Sequence, residues 1–386
     1  MKQSCLKTLF ALLTAAGLAA GCCTPALAAS EPGITCSSAI LMEANTGAVL
    51  FEYNADDRHA PASITKIMTM LLVSEELENG TLSETDMVTA SEHACSMGGS
   101  QIWLEPMEQM SVQDMLRATA IGSANDAAVA LGEHVSGSEP AFVERMNARA
   151  AELGMENTSF RNACGLDEDG HYTTARDIAL MSRELLRHEN IKQYTSTWMD
   201  TLRGGETELT NTNRLVRFYS GCTGLKTGTT DNAGYCLSAS AERDGLELIA
   251  VVLGDKTSEQ RFASAKALLD YGFANYCAVP APDLSAEMPQ VRVLHGVEQS
   301  VLPQAAAPQS IVVEKAAKDS LTSQIEALPE VQAPVQQGQK LGSVKLLCNG
   351  KVLTEYDIIA PYQVPKITLS SAFGTLLGAL CGANAK

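Results

Sequence analysis

The sequence is poor in positive charge. Among 386 residues, 28 Lys and Arg face 45 Asp and Glu, a formal net charge of −17. That balance argues against nucleic acid as a partner. Aromatic residues make up only 5% of the chain, while hydrophobic residues reach 45%, so a core here is built from aliphatic side chains and alanine. No Cys-x-x-Cys pair occurs and no two histidines fall at metal-ligand spacing. A metal site is not expected, nor any cofactor. There is no Gly-x-Ser-x-Gly elbow, which disfavours a Ser-His-Asp hydrolase of that type. No apolar run reaches the roughly 20 residues a spanning helix requires.

What is present begins with a leader. Lys2 and Lys7 precede an apolar run, Leu9 to Ala20, and Ala26-Leu27-Ala28 offers small residues for cleavage. Residues 1–29 therefore read as a secretory signal peptide, cut after Ala28 or Ala29. Ala19-Ala20-Gly21-Cys22 is the competing lipidation site, with its usual leucine displaced by one place. An exported chain permits disulfides, and eight of the eleven cysteines lie beyond the leader. Their spacing forms no dense framework, so most read as buried free thiols. Cys222 and Cys236, flanking a hairpin, are the candidate pair.

Ser38–Met42 and Ala48–Glu52 read as strands around the turn Glu43–Gly47. Residues 111 to about 187 are mainly helical. Gly154 stops a helix over 141–153, and Thr174 starts another with Asp177 as a capping-box acid. Strands return at Gly224–Gly228, Tyr235–Ala241 and Leu246–Leu253, the last two apolar on both faces, as in a sheet with helices on each side. A helix over 259–276 follows. Composition shifts at Val279-Pro280-Ala281-Pro282. Beyond it, short β runs and the hairpin signal Asn349-Gly350 predict a small all-β domain over 283–365. The apolar stretch after Lys366 is too short to span a bilayer and reads as an amphipathic anchor over 366–386.

The chemistry centres on Pro61-Ala62-Ser63-Ile64-Thr65-Lys66. Three residues apart on a helix, Ser63 and Lys66 share a face. The residues after them are apolar almost all round, which predicts a buried helix. Burial disfavours a charged amine, so Lys66 can act as a base toward the Ser63 hydroxyl. The same spacing at Ser4 and Lys7 in the leader shows that the pair has weight only in company. Company exists: Ser123-Ala124-Asn125 and Lys226-Thr227-Gly228 follow in order, each occurring once.

This set, with flanks such as Gly170-His171-Tyr172 and Leu268-Leu269-Asp270-Tyr271-Gly272-Phe273, resembles the penicillin-binding D-alanyl-D-alanine carboxypeptidases, over roughly residues 36–277. The resemblance implies an α+β fold. A β-lactamase/transpeptidase-like domain, an antiparallel sheet flanked by helices plus a helical subdomain, would occupy residues 30–279, ahead of the β domain. It implies Ser63 as acylated nucleophile, Lys66 as base and Ser123 as proton relay. It implies substrate contacts from Asn125, Lys226, Thr227, Gly228 and Arg261, and an oxyanion hole from the N–H groups of Ser63 and Thr229. Implied partners are peptidoglycan pentapeptide ending in D-Ala-D-Ala, β-lactam antibiotics and, through the tail, the outer face of the bacterial cytoplasmic membrane. A class A β-lactamase is the nearest rival, but Ala124 stands where those enzymes carry aspartate, and no deacylating glutamate is evident. A sensor that stays acylated is the other.

Overall fold

The computed structural model describes residues 31–370 together with 372 and 373. The predicted leader and most of the predicted anchor, residues 374–386, lie outside the described residues.

Strands β1 (Ser38–Glu43) and β2 (Val49–Tyr53) are joined by the predicted turn. The Glu43 carboxylate organises it, accepting from the backbone N–H of Asn45 at 3.0 Å and of Thr46 at 2.7 Å. A short pair, β3 (Met87–Thr89) and β4 (Gln109–Ser111), follows. A second, β5 (Met199–Leu202) and β6 (Thr207–Thr210), comes after the helices. Neither pair is evident in the sequence, because three or four residues carry too little periodicity. Strands β7 (Cys222–Thr230), β8 (Gly234–Arg243) and β9 (Leu246–Asp255) complete an antiparallel sheet in the order β2-β1-β9-β8-β7.

The apolar character of β9 on both faces has the predicted cause. Ile249, Val251 and Leu253 enter one core with Ile67, Met70, Leu71 and Ile178. Leu248, Ala250 and Val252 enter a second core with Leu268 and Leu269. Alternate residues thus serve opposite faces, and each such side chain contributes about 1.5–3 kcal/mol on burial.

The helices are α1 (Lys66–Glu78), α2 (Val112–Arg117), α3 (Asn125–Ser136), α4 (Glu139–Glu152), α5 (Ala175–Leu186) and α6 (Ser258–Asn275). Thr174 caps α5 as predicted, its Oγ1 accepting from Asp177 N at 3.1 Å. The Asp177 carboxylate does not complete a capping box. It accepts from Asn157 N at 3.0 Å and Thr158 Oγ1 at 2.7 Å, tying the preceding loop to the helix.

The composition shift near Val279 is no free linker. Helix α6 runs directly into a strand, Tyr276–Pro280, which pairs antiparallel with Ser310–Glu314. The longest hairpin beyond it, Lys340–Cys348 with Lys351–Ile359, turns at Asn349 and Gly350, whose φ values of 51° and 77° suit the predicted tight turn. Ile311, Val313, Val344, Leu346 and Ile358 form a core there.

The candidate disulfide fails on register. Cys222 faces Ala241 and Cys236 faces Gly228 across β7 and β8, so six residues of strand, roughly 20 Å, separate them. The cysteines of the described residues are free thiols, and Cys36, Cys164, Cys236 and Cys348 are buried. No helix among the described residues is long and apolar enough to cross a membrane.

Candidate active site

Pro61 caps a 3₁₀ turn, Ala62–Thr65, that leads into α1. The sequence predicts an α-helical start, and the tighter turn has a consequence. In a 3₁₀ turn residues i and i+3 eclipse one another. Lys66 Nζ accordingly lies 2.9 Å from Ser63 Oγ. The amine is wholly buried and meets two further oxygens, Asn125 Oδ1 at 2.5 Å and the Cys164 carbonyl at 2.7 Å. A neutral amine has two N–H groups and one lone pair. The two carbonyl-type oxygens accept the N–H groups, which aims the lone pair at the serine hydroxyl. Burial lowers the Lys66 pKa from 10.5 to about 8, against the opposing pulls of Cys164 and of the Asp126 carboxylate.

Ser123 and Asn125 owe their positions to an interrupted helix. The sequence reads as helical over Ser111 to Val135, with Ser123-Ala124-Asn125 at a turn between helices. In the structure α2 widens into a π turn over Ala118–Gly122, and Ser123 then takes the left-handed conformation at φ 61°. Helix α3 restarts at Asn125. A non-glycine residue in that region marks stored strain of the kind found at functional sites. Here it brings Ser123 Oγ within 2.8 Å of Lys226 Nζ, which donates to it. Asn125 is held at both ends. Its Nδ2 donates to Gly98 O at 2.6 Å and its backbone N–H to Ser100 O at 2.7 Å.

Strand β7 forms the opposite wall. Lys226 is buried, and burial together with Lys66 and Arg261 holds its pKa well below the usual lysine range. A positive charge on it is therefore disfavoured in the free protein. Thr227 Oγ1 donates to Thr212 Oγ1 at 2.7 Å, and Thr229 lies exposed at the strand tip. Gly228 has a packing role beside the substrate contact that the resemblance implies. A Cβ there would sit 3.0 Å from Pro61 O and from Ile64 Cγ1. The glycine therefore lets β7 pack onto the turn that carries Ser63. Arg261, from α6, is buried behind the strand tip. Its Nη1 donates to Thr229 Oγ1 at 3.0 Å and Gly228 O at 3.2 Å. The structure thus brings together Ser63, Lys66, Ser123, Asn125, Lys226, Thr227, Gly228 and Thr229, with Arg261 bracing the last two.

Residues 26–257 match the family described as D-alanyl-D-alanine carboxypeptidase. The chain belongs to the D-alanyl-D-alanine carboxypeptidase family. Residues 285–366 match the C-terminal domain of penicillin-binding protein 5. D-alanyl-D-alanine carboxypeptidase DacF of Bacillus subtilis is 44% identical over 341 residues, covering 87% of this chain and 88% of the relative. Penicillin-binding protein 5 of Haemophilus influenzae superposes with a TM-score of 0.80 at 34% identity, over 87% of this chain and 99% of that one. The ampicillin-bound form of penicillin-binding protein D2 from Listeria monocytogenes has a TM-score of 0.57 at 35% identity, over 62% of this chain and 98% of that one.

One part of this carboxypeptidase site lies in residues 162–172, where the sequence singles out Gly170-His171-Tyr172 but not the residues before them. Asn162 Oδ1 gathers the N–H groups of Cys164, Gly165 and Leu166, at 3.3, 2.7 and 3.1 Å. That side-chain turn presents the Cys164 carbonyl to Lys66. Asparagine three residues before glycine is the available signal. Gly165 has φ 89°, and a Cβ on it would lie 1.8 Å from Ala62 O. Gly165→Ala is therefore expected to push the Ser63 turn away from Lys66. Penicillin acylation measured by intact mass should slow by at least about tenfold in protein that remains folded, since misplacement near 1 Å costs on the order of a hundredfold.

Proposed function

We propose that Ser63 is the acylated nucleophile of a serine-type D-alanyl-D-alanine carboxypeptidase that removes the terminal D-alanine from peptidoglycan pentapeptide. The observation that carries this reading is the buried Lys66 amine 2.9 Å from Ser63 Oγ, with its other two directions occupied by Asn125 Oδ1 and Cys164 O. Lys66 takes the hydroxyl proton as Ser63 Oγ attacks the penultimate D-alanine carbonyl. The N–H groups of Ser63 and Thr229 receive the developing oxyanion, usually the largest stabilising term in acyl transfer. Ser123, beside Lys226, relays to the departing amine of the terminal D-alanine the proton that Lys66 took, which leaves Lys66 neutral and the Ser123 hydroxyl intact. Water then cleaves the ester and returns the Ser63 hydroxyl. A β-lactam carbonyl enters the same acylation path, which supports penicillin binding here as in the ampicillin-bound relative.

The carboxylate of the terminal D-alanine gives the cleft its direction. Burial, Lys66 and Arg261 all lower the Lys226 pKa and so disfavour its charged form. An incoming carboxylate reverses that penalty, because an opposite charge nearby favours the protonated amine. Arg261 braces Thr229 and Gly228 from behind, and Thr227 offers a hydroxyl at the strand. We place the enzyme at the outer face of the bacterial cytoplasmic membrane, exported by residues 1–29 and held by residues 366–386. The exposed side chains of Ile367, Leu369 and Phe373 support that role for the tail.

Intact-mass spectrometry after penicillin should map one adduct to Ser63. Lys66→Arg should take none, because a guanidinium does not deprotonate. In the wild type the neutral, competent form of Lys66 grows as pH rises, so the acylation rate should climb with a midpoint near 8. A profile flat from pH 6 to 10 is incompatible with the role assigned to Lys66.

Carboxylate recognition is tested with a diacyl-Lys-D-Ala-D-Ala peptide and its C-terminal amide. Wild type should strongly prefer the free acid, and Arg261→Ala should lower kcat/KM for the acid by about one to two decades. Equal turnover of acid and amide by wild type argues for an endopeptidase. For the tail, deletion from Ile367 onward should leave an active enzyme that no longer sediments with membranes. Continued sedimentation points to lipidation at Cys22 or another anchor.

A further inference from the structure

The buried carboxylate next to the second motif has no part in the chemistry above. Asp126 is fully buried, and its partners are backbone N–H groups. Ile102 N lies 3.2 Å from both oxygens, Leu104 N 3.1 Å from Oδ2 and Ala127 N 2.9 Å from Oδ1. Two of those donors belong to the loop that holds Asn125, whose Nδ2 and N–H bond Gly98 O and Ser100 O. The loop does not adopt its shape at no cost. Ile102 and Leu104 are 3% and 5% exposed, while Trp103 between them is 76% exposed at φ 58°. A bulky residue in that region is a genuine outlier, and such strain persists only where its surroundings over-determine it. The Asp126 carboxylate grips the N–H group on each side of the strained residue.

We propose that Asp126 is a positioning residue for acylation: it fixes the 98–104 loop, the loop fixes the Asn125 amide, and the amide orients the Lys66 amine toward Ser63. This rests on the reading of Ser63 and Lys66 given above. The chain of contacts is continuous, from Asp126 through Ile102 and Leu104 to Gly98 and Ser100, then to Asn125 and to Lys66 Nζ at 2.5 Å. Asp126 also acts through its charge. The titratable groups that act electrostatically on Lys66 are the Cys164 thiol, which burial keeps protonated, Asp126 on α3 and Lys226 on β7. Among them Asp126 supplies the negative charge that favours the protonated amine. Removing it lowers the Lys66 pKa.

Asp126→Asn tests both effects. The carboxamide keeps one oxygen, so the N–H of either Leu104 or Ala127 faces an NH₂ group. The second-order rate of acylation by benzylpenicillin is measured from pH 6 to 10 and expressed per folded molecule, with folding followed by circular dichroism. The rate at its plateau should fall roughly ten- to a hundredfold, and the midpoint of the rise should move to lower pH. A role confined to stability lowers the melting temperature and leaves both readouts unchanged. If either the rate or the midpoint matches the parent, the positioning role is wrong. Should Asp126→Asn not fold, the same substitution is made in a Trp103→Gly background, where glycine accepts the left-handed conformation without strain. It is then compared with Trp103→Gly alone. The two readings fail separately. Absence of a Ser63 adduct in wild type removes the proposed function, whereas normal wild-type acylation with an indifferent Asp126→Asn removes only this inference.

Discussion

A buried amine with three oxygens around it is the constraint on which the rest of the site depends. Taking Lys66 out of water penalises its charged form, and the two carbonyl-type oxygens, Asn125 Oδ1 and Cys164 O, satisfy its N–H groups as a base. Without them the same burial would leave unpaired polar hydrogens, at a cost of about 1–3 kcal/mol each. The oxygens come from positions 59 and 98 residues away along the chain. The architecture therefore has to close three separate segments onto one side chain. The nucleophile turn, the start of α3 and the loop at Cys164 meet there, and each is pinned by its own local device.

The devices at the nucleophile turn and the start of α3, with a third at Trp103, are of one kind: backbone held in conformations that an unsupported chain avoids. Ala62 precedes the serine at φ 47°, Ser123 sits at φ 61° and Trp103 at φ 58°. Each is stabilised from outside its own segment. Ala62 lies beneath Gly165, Ser123 is bonded by Lys226, and Trp103 is flanked by N–H groups on Asp126. The surroundings are rigid because α1 is apolar nearly all round and packs against both α3 and the sheet in one core. Dense packing makes such positions discrete and costly to move.

Much of this was legible before the structure. The apolar runs of β8 and β9 announced a sheet covered on both faces, and Asn349-Gly350 announced its hairpin, because side-chain period and turn chemistry are local properties. The three motifs pointed to the site because their residue types and order are specific. What stayed hidden was non-local. The turn at Ser123-Ala124-Asn125 was legible, but not the π turn over Ala118–Gly122 or the left-handed Ser123 that build it, since tertiary contacts override propensity there. The packing role of Gly228 stayed hidden, because only the folded turn reveals that Pro61 and Ile64 fill the space a Cβ would need. Cys164 contributes a carbonyl, which no side-chain motif can signal. Cys222 and Cys236 looked paired until strand register separated them.

The electrostatics of the cleft follow from placing Lys66, Lys226 and Arg261 together in a chain of net charge −17. Three basic groups in a low-dielectric space repel one another, and two of them are lysines able to shed their protons in response. Arginine keeps its proton even where burial lowers its pKa. The free site thus holds one permanent charge behind the strand tip and two amines poised to be neutral. That division suits acyl transfer from a substrate bearing a carboxylate. Lys66 must be neutral to take a proton, while Lys226 gains by becoming charged once an anion lies beside it. The same residue type serves opposite ends of the reaction because their neighbours differ. Lys66 Nζ faces a hydroxyl and two carbonyl-type oxygens, and Lys226 Nζ faces Ser123 Oγ on the wall opposite Ser63. Exchanging either lysine for arginine would fix a charge that the cycle needs to change.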